Sequence, residues 1–293
     1  MAAQARQMPM LRRRRTGLTL RKLRERQGLN LKQVAELMEC SQSKISRIET
    51  GQSSARVRDV RDLLAIYGVT GQVAEDIMNM AREALRHERE RTWWHPYNNV
   101  LISAYVGNEN AASRVRTYEH QCVPGLLQTE EYALALFRTA APTADSETIA
   151  ERLRVRMGRQ MLLTRDGDPL KLDAVLDEAV LSRPVGGDSV MRGQLQRLIA
   201  ATTMPNVVLR LLPFDVGAHA GMDGTFAILD YAEADGSSIV YAEHATGGLF
   251  LDKERELKLY SDIFDRIQAK ALGPEQTRER LASLADQPRW QRF

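Results

Sequence analysis

Between Asn30 and Gly51 the chain carries two short helical patterns separated by a turn of only two residues, and this spacing restricts the local fold more than any other feature. Asn30 stands where a helix N-cap belongs, and Gln33, three residues on, completes a capping-box pattern. Leu29 and Val34 occupy the flanking staple positions, and Val34, Ala35 and Met38 recur at helical spacing. After the turn Glu39-Cys40, Ser41 caps the next helix, with Cys40 and Ile45 as its staple. Ile45 and Ile48 face inward, and Gly51 ends the segment. Two helices joined so tightly must cross closely, which is why a small residue, Ala35, stands between them.

Neighbouring patterns extend this pair to an all-α domain of five helices. A helix over 18–27 stops at Gly28; a fourth carries Val57, Val60, Leu64 and Tyr67 on one face before Gly68; a fifth, over 72–91, turns Val73, Ile77, Met80 and Ala84 inward. In this geometry the third helix enters the major groove of DNA and presents its first residues to base edges. Its outward residues Gln42, Ser43, Ser46 and Arg47 suit that task, since Gln pairs with adenine, Arg with guanine and Ser with several edges. Ser41, Lys44, Arg56 and Arg58 are placed to hold phosphates. Charge agrees: residues 1–60 hold 14 Lys/Arg against 5 Asp/Glu, whereas residues 61–293 hold 27 against 33. A basic end on an acidic body is the distribution of a chain that meets a polyanion at one end. Residues 1–17, with Arg12 to Arg15, read as a basic flexible arm, either laid along DNA or merely solvated.

The string LKQVAELMECSQSKISRIETGQ resembles the helix-turn-helix of Xre-type regulators, with Ala35, Ser41, Ile45, Ser46, Ile48, Glu49 and Gly51 at matching places. The resemblance implies binding of double-stranded DNA, generally as a homodimer on paired half-sites. One departure stands out: Glu39 occupies the turn position where that family usually has Gly. A non-glycine residue in a left-handed turn costs about 1 kcal/mol.

The helix-turn-helix domain is expected over 18–92 and a linker over 93–100, with Trp93 and Trp94 as packing anchors. A second domain is expected over 101–286, and a tail over 287–293. It opens with a helical pattern running from Ser103 through Val106, Glu109, Ala112, Val115 and Tyr118. Thr129 caps one helix, and another starts at Ser146 with Arg152, Arg156 and Arg159 as a stripe. The stripe reads as a solvated face, or alternatively as a grip for nucleic acid or an acidic partner. Alternating runs follow at 170–174, NVVLRLLPF, GTFAILDY and SSIVYAEH, the last two joined by the hairpin signal Asp235-Gly236. Two helices, over 253–271 and 275–285, close an α+β domain with a helical bundle beside a small, mostly antiparallel sheet.

Asp215, His219, Asp223, Glu243 and His244 form the most site-like set in this half, interleaved with glycines that admit a ligand to the backbone. No HExxH, GxSxG, Walker or paired-cysteine signature accompanies them, so the chain reads as a non-enzyme without metal or cofactor. The strings VPGLLQTEEYA, LDEAVLSRPVGG, NVVLRLLPFDVGAHAGMDGTFAILDY and IVYAEHATGGLFLD resemble the second domain of actinobacterial WhiJ-like, antitoxin-like regulators. That resemblance implies a small partner protein that modulates DNA binding. A small-molecule effector is the alternative, and an enzyme domain fused to a DNA-binding module the distant third. No apolar run reaches the roughly 18–20 residues that cross a bilayer, and Cys40 and Cys122 form no framework. A cytoplasmic, nucleoid-associated protein is expected.

Overall fold

In the computed structural model the chain divides into two compact units, Met1–His95 and Pro96–Phe293. The structure describes residues 9–51, 53, 55–88, 103–232, 238–244 and 247–286. The expected linker with Trp93 and Trp94, the Asp235-Gly236 turn, the tail and the first eight residues of the expected arm lie outside the described residues.

The first unit is a bundle of α1 (Pro9–Arg26), α2 (Leu31–Leu37), α3 (Gln42–Glu49), α4 (Val57–Ile66) and α5 (Gly71–Glu88). Leu20, Val34, Ile45, Ile48, Val60, Leu63, Leu64, Tyr67 and Ile77 form its core. Residues 9–17 are helix, so the expected flexible arm over 1–17 is corrected for that stretch. Thr16 and Gly17 are buried, and Gly17 packs its backbone on the end of α3, where a Cβ would stand 2.4 Å from the Ile48 carbonyl oxygen. Arginine is also a good helix former. On α5 the inward face is Ala74, Ile77, Met78 and Ala81, a step away from the expected stripe, and Val73 is 57% exposed.

The capping box at α2 forms in full, with Gln33 N donating to Asn30 Oδ1 at 2.9 Å and Asn30 N to Gln33 Oε1 at 2.8 Å. Ser41 Oγ accepts from Lys44 N at 3.2 Å and caps α3. Between them Glu39 has φ of 48°, the only non-glycine with positive φ among the described residues. Cys40 N then reaches back to Ala35 O at 2.9 Å, closing the end of α2. Glu39→Gly is therefore expected to stabilise the first unit by about 1 kcal/mol, measured as a shift of the urea midpoint; a loss of stability would contradict the strain.

The second unit is α+β, and its six-stranded sheet has the order β3-β2-β1-β4-β5-β6. Its strands are β1 (Arg114–Glu119), β2 (Lys171–Asp177), β3 (Val207–Leu212), β4 (Phe226–Asp230), β5 (Ser238–His244) and β6 (Gly247–Leu251). β1, β2 and β3 are mutually parallel, whereas β1–β4, β4–β5 and β5–β6 are antiparallel. The sheet is thus mixed, which corrects the mostly antiparallel expectation. The misreading begins at residues 114–119, taken as a continuation of the first helix. That helix, α6 (Ser103–Ala111), ends five residues before Arg116, and the segment RVRTYE alternates instead as a central strand. With β1 in place, the returns to β2 through α7 (Glu130–Ala140) and α8 (Ser146–Arg159), and to β3 through α9 (Glu178–Ser182) and α10 (Asp188–Ala201), are the helical crossovers that parallel strands require.

α11 (Glu254–Lys270) covers one face of the sheet, packing Phe264 and Ile267 onto Tyr118, Val175, Phe226, Ile228 and Val240. α12 (Pro274–Ala285) packs against α10 and β3, and Thr277 Oγ1 accepts Leu211 N at 3.0 Å. Gln194 of α10 is fully buried and satisfied on both sides, accepting from Thr129 N and donating to Leu127 O, each at 2.8 Å. The opposite face, carrying Thr117, Glu119, Tyr241 and Glu243 by strand alternation, meets Tyr105 of α6.

Candidate functional site

α3 is held in place from behind by charge as well as by Ile45 and Ile48. Arg24 of α1 donates from Nε to Glu49 Oε1 at 2.7 Å and from Nη2 to Glu49 Oε2 at 2.9 Å, with side chains 9% and 3% exposed. Its third nitrogen reaches Leu29 O at 2.8 Å, so one guanidinium ties α1, the start of α2 and the end of α3 together. The Glu49 hydrogen bonds outweigh burial and hold the Arg24 pKa above its ordinary value. Sequence reading missed the pair. Its trace was Glu49 lying on the same helical face as Ile45, and Arg24 on the face of Leu20.

With that face fixed, the opposite one carries Gln42, Ser43 and Arg47, all exposed, and Ser46, half-buried. Arg47 Nε donates to Ser43 O at 3.3 Å, and Ser41 and Ser43 hydroxyls lie 3.1 Å apart, so the polar groups are gathered at the start of α3. Ser41 and Arg56 are exposed at the N-caps of α3 and α4, and Arg58 is exposed with Asp62 at 3.6 Å. Lys44 differs from its expected role: Nζ sits 3.0 Å from Asp59 Oδ1, which neutralises part of the charge it would offer to a phosphate.

In the second unit the five residues nominated from sequence do not converge. His219 packs edge-on against Tyr118, on the α11 face of the sheet, whereas Glu243 belongs to the opposite face with Tyr241. Asp215, Asp223, Glu243 and His244 are exposed. His219 Nδ1 accepts from Gly221 N at 3.1 Å, which places the proton on Nε2, facing Asp177 Oδ2 at 3.6 Å. Asp177 in turn accepts from the Tyr118 hydroxyl at 3.1 Å and caps α9 through Ala179 N. With Nδ1 held by Gly221 N and the ring packed on Tyr118, the imidazole anchors a loop. A cavity of about 270 Å³ lies beside it, lined by Ala218, His219, Ala220, Arg266 and Lys270.

The arginine stripe of α8 is inward, contrary to the solvated reading. Arg159 forms a buried fork on Glu109, at 2.6 and 2.7 Å, over the ring of Tyr105. Arg156 lies over the ring of Phe137 and against Gly125, where a Cβ would stand 2.0 Å from its Nη1. Burial pushes the Glu119 carboxyl up to about 8, opposed by the Thr117 hydroxyl that donates to it, and pushes the Cys122 thiol up to about 12. That cysteine is therefore a neutral thiol and not an activated nucleophile. Among the described residues no group of three His, Cys, Asp or Glu is arranged to hold a metal ion, and no helix is long and apolar enough to cross a membrane.

A capped pair of helices with a locked second member and a polar outer face defines a helix-turn-helix DNA-binding regulator, and a family model described as a helix-turn-helix domain matches residues 15–76. A second model, described as a domain of unknown function (DUF5753), matches residues 102–283, and the chain belongs to that family. No curated protein and no solved structure matches the chain.

Proposed function

We propose that the protein is a sequence-specific transcription regulator of the Xre type that binds its operator as a homodimer, with α3 reading bases in the major groove. The observation that carries this reading is the division of α3 between a face locked by Ile45, Ile48 and the Arg24–Glu49 fork and an outer face of Gln42, Ser43, Ser46 and Arg47. A rigid helix with adaptable polar tips is what base discrimination needs. One such motif buries little DNA surface, so operator affinity comes from two copies on half-sites about one helical turn apart. Selection from a random DNA pool with the intact protein, followed by footprinting, tests this. A single undivided half-site protected by a monomer would count against the dimer, and recovery of no preferred sequence against base reading.

The DUF5753 domain is the regulatory half of this proposal. Its resemblance to the second domain of WhiJ-like, antitoxin-like actinobacterial regulators supports a small partner protein as the signal. A second reading, a small-molecule effector, is favoured by the cavity of about 270 Å³ beside His219, lined by Ala218, Ala220, Arg266 and Lys270. In either case the protein acts at cytoplasmic DNA and carries out no catalysis of its own.

A further inference from the structure

The parallel half of the sheet determines where the loop after β3 must run. β1, β2 and β3 point the same way, and β4 begins at Phe226, opposite Tyr118 near the end of β1. To reach that start from β3, residues 213–225 pass the C-terminal ends of β2 and β1. Because β4 lands on the far side of β1, this end of the sheet is a switch point in strand order, where sheets with parallel strands bind ligands. The cavity beside His219 opens here, between residues 218–220 of the loop and the C-terminal part of α11.

The loop is pinned along its length. Phe214 N donates to Glu178 Oε2 at 3.0 Å, and Ala218 O accepts from Lys270 Nζ at 3.1 Å. Gly221 lies on the Tyr118 ring and Ile267, where a Cβ would stand 2.6 and 2.8 Å from them. At the far end Thr225 Oγ1 is 2.9 Å from His120 Nδ1. The cavity walls are therefore set before a ligand arrives, which lowers the ordering cost of binding.

The charged side chains of the lining share one sign. They are Arg266 and Lys270, one turn apart on α11, and no carboxylate lines the cavity with them. Lys270 has a structural role, since it stands in the last turn of α11 and holds Ala218 O. Arg266 has none: it makes no hydrogen bond or ion pair among the described residues, although Asp262 lies one turn before it. The His219 side chain is 7% exposed, and Nδ1 is taken by Gly221 N. That leaves Nε2–H with Asp177 Oδ2 at 3.6 Å, beyond hydrogen-bond length. Asp177, the acid that faces His219 from the end of β2, already accepts from the Tyr118 hydroxyl and Ala179 N. The backbone amides of Ala218, His219 and Ala220 also find no acceptor among the described residues. A guanidinium, an ammonium and spare N–H donors around one concavity complement an anion. A volume of about 270 Å³ suits a compact molecule.

We propose that this cavity binds a small anionic metabolite through a carboxylate or phosphate group, with Arg266 and Lys270 as its cations and His219 Nε2–H as a hydrogen-bond donor. This gives a chemical class to the small-molecule reading above, and rests on that reading for its effect on DNA.

The test is an amide NMR titration of the full nitrogen-15-labelled chain with sodium phosphate or sodium acetate, against sodium chloride at constant ionic strength. The amides of Ala218, His219 and Ala220 should shift saturably with at least one of the two anions, and the tighter one names the group as phosphoryl or carboxylate. Arg266→Gln should weaken that binding roughly tenfold or more. Its side chain is exposed, so the melting temperature without anion should stay that of the wild type. Arg47→Ala, which removes a cation from the DNA-binding unit, should leave the response intact. The proposal is overturned if neither anion moves these amides beyond chloride, or if only amides of the first unit respond. It is equally overturned if Arg266→Gln binds as the wild type does, or if Arg47→Ala abolishes the response. Operator affinity with the effective anion, wild type against Arg266→Gln, tests regulation separately. An anion that binds but changes operator affinity equally in both proteins retains the site and removes the small-molecule reading. An absent amide response removes the anionic site and leaves that reading to a neutral ligand.

Discussion

Arg24→Met is expected to destabilise the helix-turn-helix unit by about 3–5 kcal/mol, the cost of leaving one member of a buried pair uncompensated. Glu49, 3% exposed, would keep a carboxylate with no cation beside it, and the Leu29 carbonyl would lose its donor. Few single changes to a unit of this size cost more, because small domains hold only a few kcal/mol in reserve. Hydrogen exchange of the intact protein should show amides of α3 losing roughly two to four orders of magnitude of protection, and DNA binding should fall with them. The double variant Arg24→Met with Glu49→Leu should recover most of the stability, since an apolar pair of similar volume replaces an ion pair at little or no cost. Protection of α3 that is unchanged in the single variant would show that the fork contributes nothing to the placing of the recognition helix.

Glu109→Ala is the corresponding experiment in the second unit, with an expected cost again of about 3–5 kcal/mol. The change strands the Arg159 guanidinium over the Tyr105 ring, near Arg156, which makes no ion pair among the described residues and which burial and Arg159 already disfavour as a cation. The repulsion between Arg159 and Arg156 would then go unscreened by the Glu109 carboxylate. Exchange in α6 and α8 should rise together, because Glu109 belongs to α6 and Arg159 to α8. Arg159→Met in the same background should restore stability. An Arg159→Met single variant as damaging as Glu109→Ala would instead assign the loss to packing rather than to charge.

How far the sequence could be read depended on whether short-range rules decided the outcome. The first unit was legible because caps, staples and terminal glycines act within five residues of each other: Asn30 with Gln33, Ser41 with Lys44 and Gly28 after α1 all stand in their expected roles. Even the irregular turn at Glu39 could be read, since left-handed backbone is a local property. The errors arose where tertiary context overrides pattern. RVRTYE continues a helical spacing from Val106 yet forms the central strand, because burial on both sides of a sheet satisfies Val115 and Tyr118 equally well. Missing that strand removed the parallel half of the sheet from view.

The site followed the same division. Polar tips at the start of α3 are visible from a helical wheel, whereas Lys44 meeting Asp59 fifteen residues later is not. On α8 an i, i+4, i+7 set of arginines has the signature of a wet surface. Only the acid Glu109, fifty residues earlier, and the rings of Tyr105 and Phe137 reveal that it faces inward. Of the five residues picked around His219, strand alternation puts His219 and Glu243 on opposite faces of one sheet, while Asp215 and Asp223 lie in exposed loops.

The central claim is that the outer face of α3 reads sequence while its basic neighbours only hold the duplex. It is tested most directly by comparing Arg47→Ala and Arg58→Ala on the selected operator and on single-base variants of it, across a salt series. The account predicts that Arg47→Ala loses about 1–3 kcal/mol on the operator and stops discriminating at one base position. Arg58→Ala should weaken operator and variants alike and reduce the slope of affinity against salt by about one counter-ion. Unchanged discrimination at every base position in Arg47→Ala, with loss only of the salt dependence, would contradict the assignment of α3 as the reading helix.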